Sequence, residues 1–583
     1  MMEPRNPTRR RMGGLLRTGV VAPTLLALVA AGACTSGQVD EADLLLTGGV
    51  VWTGEEERPR AGAVAVREGR ILAVGSASEL ARHRGSGTRV VELAGRFVAP
   101  GFIDNHTHFN QAGALLLGVN LLSVSNEEGL VREVRAAAQR MPEGAWILGG
   151  DWGAYEAWAR GSTGEEEQGG EPFRPHRALI DSITPAHPAL LSRWDRTAHL
   201  ANTRALEASG ADCGWAGVEC VDGEPTGRLT TAAFQRIRDQ VPPKSMEQRL
   251  REARLALEDL ASLGVTTIHD NTPPDQFPVF EALRDRGELT ARVYARPTLD
   301  RVDSLIAAGA RPGDGDDWIR MGGLKGFVDG IMGNSSARFY QPYLNTGELG
   351  VWRPMMDPPG NMERLLLTAD SAGWTPQVHA IGDHAIDTLL TIFDRVLERN
   401  AERERRFRII HTQVVSGPEV ASRMADRGFI AEVQPYHAID DMRWMELRIG
   451  ERARWAYPFR TLDEAGVLLS FGSDWPGTNA SWYPASPALG MYAAVTRQTL
   501  DGEPAGGWFP EERVDVETAL RAYTVNNAWA EHAEDRKGRI QPGFLADLVV
   551  LDRNPLDIPG SELKEVQVDL TVVDGRIVHR RAN

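Results

Sequence analysis

Residues 97–109 read FVAPGFIDNHTHF, an apolar run broken by Pro100 and Gly101 that ends in two histidines one residue apart. In a strand, side chains at i and i+2 leave the same face. His106 and His108 therefore aim at one point wherever the extended geometry reaches that far. Two converging imidazoles are a grip for a metal ion, held at about 2.0–2.1 Å from each nitrogen. A polar loop with two incidental histidines is the plainer account of an isolated H-x-H, so the rest of the chain decides.

Working outward, the middle of the sequence repeats one unit. MEQRLREARLALEDLASLG has helical periodicity and a stop at Gly264, and VTTIHD follows as a strand. The same step recurs with FPVFEALRDRG before ARVYA, MERLLLTADSAG before WTPQVHA, and AIDTLLTIFDRVLERN before FRIIHT. SGPEVASRMADRG then precedes FIAEVQP, and LDEAG precedes VLLSFGSD. Repeated helix-then-strand units predict an α/β fold with a parallel sheet. At least six of them point to a closed barrel rather than an open sheet.

Catalytic groups of such a barrel gather at the carboxyl ends of its strands. His106 and His108 follow FVAPGFID, His379 ends WTPQVH, His411 ends RFRIIH and Asp474 follows VLLSFGS. A lone histidine on an apolar run is ordinarily a satisfied core residue. Four histidines and an aspartate at successive strand ends make a metal centre the better account. Nitrogen and carboxylate donors suit zinc, and iron or manganese tolerate them. Lys325, within MGGLKGFVDG, belongs to the same series. A buried, charged, unpaired lysine is costly, which leaves three readings: proton loss, conversion to a carbamate with oxygen ligands, or pairing with Asp329.

The chain ends differ from the middle. DLLLTGGVVWT, AGAVAVREGRILAVG and TRVVELAGRFVAP read as short strands, and ADLVVLDRNPL, VDLTVVDG and GRIVHR match them near the C-terminus. A small sheet domain built from both termini follows, with residues 34–99 and 536–583 flanking a core domain of residues 100–535. A long insertion, at about residues 113–242, interrupts that core domain. It contains a loop-like GSTGEEEQGGEPFRP and the tryptophans Trp146, Trp152, Trp158 and Trp194, which either pack a subdomain roofing the pocket or simply fill a core.

At the N-terminus, Arg5 and Arg9–Arg11 precede an apolar stretch ending in AGAC, so residues 1–33 read as an export signal of lipoprotein or twin-arginine type. Cys34 is then a candidate lipid anchor, with a periplasmic or cell-envelope location expected. A single anchored helix is the other reading. Removing or lipidating Cys34 leaves Cys213 and Cys220, which either close a small disulfide loop or stay as free thiols. The formal charge of −16 and the scattered basic residues argue against a nucleic-acid partner and leave a small-molecule substrate.

Taken together, GFIDNHTHF, LKGFVDG, QVHAIGDHAID, RIIHTQ and FGSDWP resemble the amidohydrolase superfamily, and within it the YtcJ-like and N-substituted formamide deformylase-like family 3. The resemblance implies a (β/α)8 TIM-like barrel beside a composite β-sandwich. It implies His106, His108, His379, His411 and Asp474 as metal ligands, with a carboxylated Lys325 bridging where two ions bind. One or two ions fit that pattern. Relatives often carry D-G-H-x-A-x-x-N in the insertion, whereas this chain has WDRTAHLANT. Thr197 therefore stands where that histidine would be, His199 lies two residues on, and Asn202 is kept. His384 and His437 are further candidates for substrate contact.

The expected chemistry is hydrolysis of a non-peptide C–N bond by metal-bound hydroxide. Asp474 moves the proton, and His379 or His411 acts as an electrophile if a free position remains. Lactone or ester cleavage at the same centre is the rival reaction, and an exported metal- or solute-binding lipoprotein is the rival without catalysis. Ser335 and Ser336 lack a nucleophile elbow, and no dinucleotide or phosphate-loop fingerprint is present.

Overall fold

The computed structural model describes residues 40–153, 173–194, 196–478 and 481–582. The expected export signal, the lipidation candidate Cys34 and Trp158 lie outside the described residues.

An eight-stranded sheet joins the two ends of the chain. Its order is Arg576–Arg580, Val568–Val573, Leu548–Leu551, Phe97–Pro100, Leu44–Trp52, Arg60–Arg67 and Arg70–Gly75, with Arg89–Glu92 also pairing with Leu44–Trp52. The join is antiparallel, Val549 standing opposite Ala99. Alternation of apolar residues fills both faces. Leu44 and Leu46 enter one cluster with Val64, Ile71, Leu548 and Val572, while Leu45 enters another with Ala63 and Ala65. Because strands from opposite ends of the sheet share that first cluster, the sheet folds over on itself. Two of its hairpins turn at Glu68-Gly69 and Asp574-Gly575, where all four residues have positive φ. That is the backbone a two-residue turn needs to match strand twist.

The middle of the chain forms two all-parallel sheets. The first has the order Ile319–Met321, Arg292–Ala295, Val265–Asp270 and Phe102–Thr107. The second runs Leu324–Phe327, Pro376–Ala380, Arg408–His411, Ile430–Val433 and Leu469–Phe471. Gly322 and Gly323 separate the two along the chain. Among the described residues the ladders do not join into a continuous closed barrel. The sheets approach each other through single parallel bridges at Thr107–Trp475 and Thr298–Lys325. The helices between strands follow the expected pattern. Met246–Ser262 is capped by the Ser245 hydroxyl accepting from the Gln248 N–H, and its chain turns out at Gly264 with φ +79°. Asp383–Arg399 buries Ile386, Leu389, Leu390, Phe393 and Val396, one stripe at helical spacing.

The insertion is a packed unit. Its five-stranded sheet runs Val218–Val221, Glu224–Leu229, His199–Ala201, Ala189–Arg193 and Ile147–Trp152. Trp152 is a core residue there, while Trp146 and Trp194 are partly buried against apolar clusters. The cysteines left open by the sequence form a disulfide, Cys213–Cys220.

A buried ion pair ties the composite sheet to the first parallel sheet. Arg292 Nε and Nη2 donate to the two Asp547 oxygens at 2.6 and 2.9 Å, both side chains being nearly inaccessible. Removing one partner of such a pair strands the other charge and costs about 3–5 kcal/mol, whereas replacing both by apolar groups costs far less. Asp547→Ala is therefore expected to lower the denaturation midpoint sharply, and the Arg292→Met/Asp547→Leu double variant to recover much of that loss in chemical denaturation followed by circular dichroism.

Candidate metal centre

The strand Phe102–Thr107 is buried at every position, and His106 is its penultimate residue. His108 stands at the N-terminal cap of the helix Phe109–Leu117. Extended geometry carries far enough for both rings to converge: His106 Nε2 and His108 Nε2 lie 3.4 and 3.1 Å from Asp474 Oδ1. Asp474 is stitched to the same strand by its own N–H, which donates to the His106 carbonyl at 2.8 Å. Reciprocally, the His108 N–H donates to the Trp475 carbonyl at 2.8 Å. The glycine of FGSD makes this approach feasible, since a Cβ on Gly472 would sit 2.1 Å from Asn105 Oδ1 and 2.8 Å from the His106 nitrogen.

His411 arrives from the end of Arg408–His411 with φ +75°, and Asp474 has φ +60°. Left-handed backbone at two non-glycine residues is strain of the kind that accumulates at functional sites. Ligand atoms of His106, His411 and Asp474 all lie within 4.8 Å of one another. The His379 ring meets His411 edge-on at 4.6 Å. Its Nε2 lies 2.9 Å from the Gly330 carbonyl and 3.4 Å from Asp329 Oδ1. Lys325 is buried, its Nζ 3.4 Å from His106 Nε2 and 4.8 Å above the Phe327 ring. The alternative partner Asp329 is occupied elsewhere, accepting from the N–H groups of Arg338, Ile381 and Gly382.

Several functional residues are not evident from strand-end histidines alone. His106 Nδ1 lies 3.0 Å from Glu432 Oε1, and His411 Nδ1 lies 2.7 Å from Gln434 Oε1. The Glu432 carboxylate favours a proton on His106 Nδ1 over the Arg296 guanidinium, which lies 3.2 Å from the same atom, and this turns the Nε2 lone pair toward the centre, the usual support of a metal-ligating histidine. Asn271 Nδ2 lies 3.2 and 3.3 Å from the Nε2 atoms of His106 and His108. Glu432 and Gln434, in FIAEVQP, carry the signal that could have found them: polar residues within a fully buried stretch need polar partners.

Burial and neighbouring charges set the ionisation of these groups. Burial and the nearby Lys325 charge hold His106 well below the usual histidine range, and burial and His379 do the same to His411. Burial and the Arg296 charge push Lys325 down to about 7. Burial opposes ionisation of Asp474, yet His106 and His108 outweigh it and hold its carboxyl well below the normal range. Asp474 Oδ1 is buried, with the His106 and His108 ring nitrogens beside it. Converging imidazole nitrogens beside a buried carboxylate fit a divalent cation such as zinc.

These residues line a cavity of about 270 Å³ together with Gln111, Arg353, Gln413, His437, Asp441 and Tyr483. The His437 ring lies tilted against Tyr483 at 4.1 Å, with Nε2 3.9 Å from Asp474 Oδ2. His384 does not reach this cavity; it stacks on Tyr340 at 4.2 Å and lines a separate one of about 830 Å³. None of the described insertion residues lines the metal cavity. His199 pairs with Ser192 Oγ at 3.0 Å and stacks on Phe234, while Asn202 caps Thr203–Ser209. Trp444 and Trp475 are fully buried and belong to the core.

A sequence model described as the amidohydrolase family matches residues 89–579. Protein LONG AFTER FAR-RED 3 of Arabidopsis thaliana is 33% identical over 537 residues, covering 88% of this chain and 88% of that one. N-substituted formamide deformylase of Arthrobacter pascens is 26% identical over 574 residues, covering 92% and 98%. The crystal structure of a metal-dependent hydrolase from Pyrococcus furiosus superposes with a TM-score of 0.69 at 26% identity, covering 88% of this chain and 100% of that one. With that match spanning most of its length, the chain belongs to the amidohydrolase family.

Proposed function

We propose that the protein is a metal-dependent hydrolase of a non-peptide C–N bond of the amide or formamide kind. The observation that carries this reading is the meeting of His106, His108, His411 and Asp474, with Lys325 beside them, at one cavity. The name of the Arthrobacter relative, a formamide deformylase, supports the bond class. His106, His108, His379, His411 and Asp474 hold one or two divalent ions, zinc being the best fit and iron or manganese the alternatives. A carboxylated Lys325 supplies oxygen donors. Such an ion supplies an acidified water and a Lewis acid for the substrate carbonyl.

The chain's own groups do the rest. Asp474 takes the proton of the attacking water and returns it to the leaving nitrogen, a role for an ionised carboxylate fixed at the cavity floor. Glu432 and Gln434 hold the His106 and His411 rings in one tautomer and orientation. His437 offers an Nε2 without a hydrogen-bond partner to a polar group of the substrate.

The same reading extends to architecture and location. The two parallel sheets are the arcs of a (β/α)8 barrel, with Ile319–Met321 and Leu324–Phe327 as two halves of one stave. The folded-over sheet is the composite β-sandwich. The Cys213–Cys220 disulfide supports export to an oxidising compartment, with residues 1–33 as the signal and Cys34 as the lipid site.

Three measurements test this reading. Rates on matched amide and ester substrates with a common acyl group are expected to favour the amide; ester preference would move the assignment to esterase chemistry. Asp474→Asn is expected to lower kcat on that amide by about 10²–10⁴-fold, with the circular dichroism spectrum unchanged. Gln434→Leu removes the acceptor from His411 without stranding a charge, and is expected to weaken metal affinity about 10–100-fold in chelator competition.

A further inference from the structure

The metal cavity is unevenly charged, and one of its charges is unexplained by the centre. Arg353 lines it from an exposed position. Its backbone N–H donates to the Val328 carbonyl at 2.9 Å, which lays residue 353 alongside the chain leaving Leu324–Phe327. Pro354 follows directly and keeps Arg353 extended. Its guanidinium has no hydrogen bond or ion pair among the described residues.

The other ionisable groups of the cavity are accounted for. Asp474 faces the histidines, and Lys325 faces His106. Asp441 Oδ2 accepts from Tyr457 Oη at 2.5 Å and from Gln413 Nε2 at 2.7 Å. Burial pushes the Asp441 carboxyl up to about 8, so it adds little negative charge at neutral pH. Phe327, Ile331, Met332, Ile381 and Tyr483 supply apolar walls of the same cavity. One unpaired guanidinium at the rim, an apolar wall and a hydrolytic floor form a three-part recognition surface.

We infer that Arg353 selects amides that carry a carboxylate, with an apolar side group between that carboxylate and the scissile bond. This inference rests on the hydrolase reading above and specifies its substrate class. A guanidinium pairs a carboxylate bidentately, which lysine cannot reproduce. A cavity of about 270 Å³ suits a small molecule.

The test uses metal-loaded protein with N-formylphenylalanine and N-formylphenethylamine, which differ by the carboxylate alone. Wild type is expected to prefer N-formylphenylalanine. Arg353→Gln is expected to lower kcat/KM on that substrate about 10–100-fold, mostly through KM, while changing N-formylphenethylamine less than about twofold. Arg353→Lys is expected to recover part of the loss. Equal effects on both substrates, or no effect on either, would overturn the inference. A second arm needs no turnover: calorimetry of N-methylphenylalanine against N-methylphenethylamine, on wild type and Arg353→Gln. A carboxylate preference that vanishes in the variant supports the assignment, and equal or absent binding to wild type contradicts it. Failure of wild type to hydrolyse either formamide, with that binding preference intact, would instead count against the hydrolase reading.

Discussion

A single buried carboxylate organises the interior. Glu432 is wholly inaccessible, and burial opposes its ionisation, yet Arg296 and Arg408 outweigh that and hold it below the usual range. Arg296 reaches Glu432 Oε1 at 2.7 Å and Gln377 Oε1 at 3.1 Å. Arg408 reaches Glu432 Oε2 at 3.2 Å and His269 Nδ1 at 2.9 Å. His106 completes the set at 3.0 Å. These residues come from both parallel sheets, so one charge network spans the space between them. Networks of this kind are costly when partly satisfied and orienting when complete. Here the orienting end is the His106 ring.

From that anchor the site follows by short steps. The His106 ring fixes where its Nε2 points, and the hydrogen bond from Asp474 to the His106 carbonyl fixes the carboxylate beside it. The small size of Gly472 permits that approach, and positive φ at His411 and Asp474 shows that the local backbone bends to serve it. The candidate metal centre is thus the point where the first and last strands of the parallel sheets are sewn together.

Much of this was legible because two periodicities are strong. The i, i+2 spacing of His106 and His108 survives into the structure as two rings facing one carboxylate oxygen. The helix-then-strand repeats place His379 and His411 on neighbouring parallel strands. The repeats point to a closed barrel, whereas among the described residues the ladders form two separate parallel sheets, parted along the chain at Gly322-Gly323 and linked at Asn105 and Ser470 through side-chain hydrogen bonds. The supporting shell was missed for a different reason. Glu432, Asn271 and Arg296 meet partners more than 100 positions away, and Gln434 meets His411 on the neighbouring strand; local spacing carries no trace of either. Of the two readings the insertion tryptophans allowed, packing is the one Trp152 takes: it is buried in the core of the insertion.

The central claim is that these buried histidines and Asp474 exist to hold a divalent metal ion. Metal content per chain, by plasma mass spectrometry on protein purified under metal-sparing conditions, tests it most directly. The account predicts one or two equivalents of a divalent metal in wild type and a marked loss in His106→Ala. Folded protein with no bound metal, or with the same metal content after the His106 change, would contradict it.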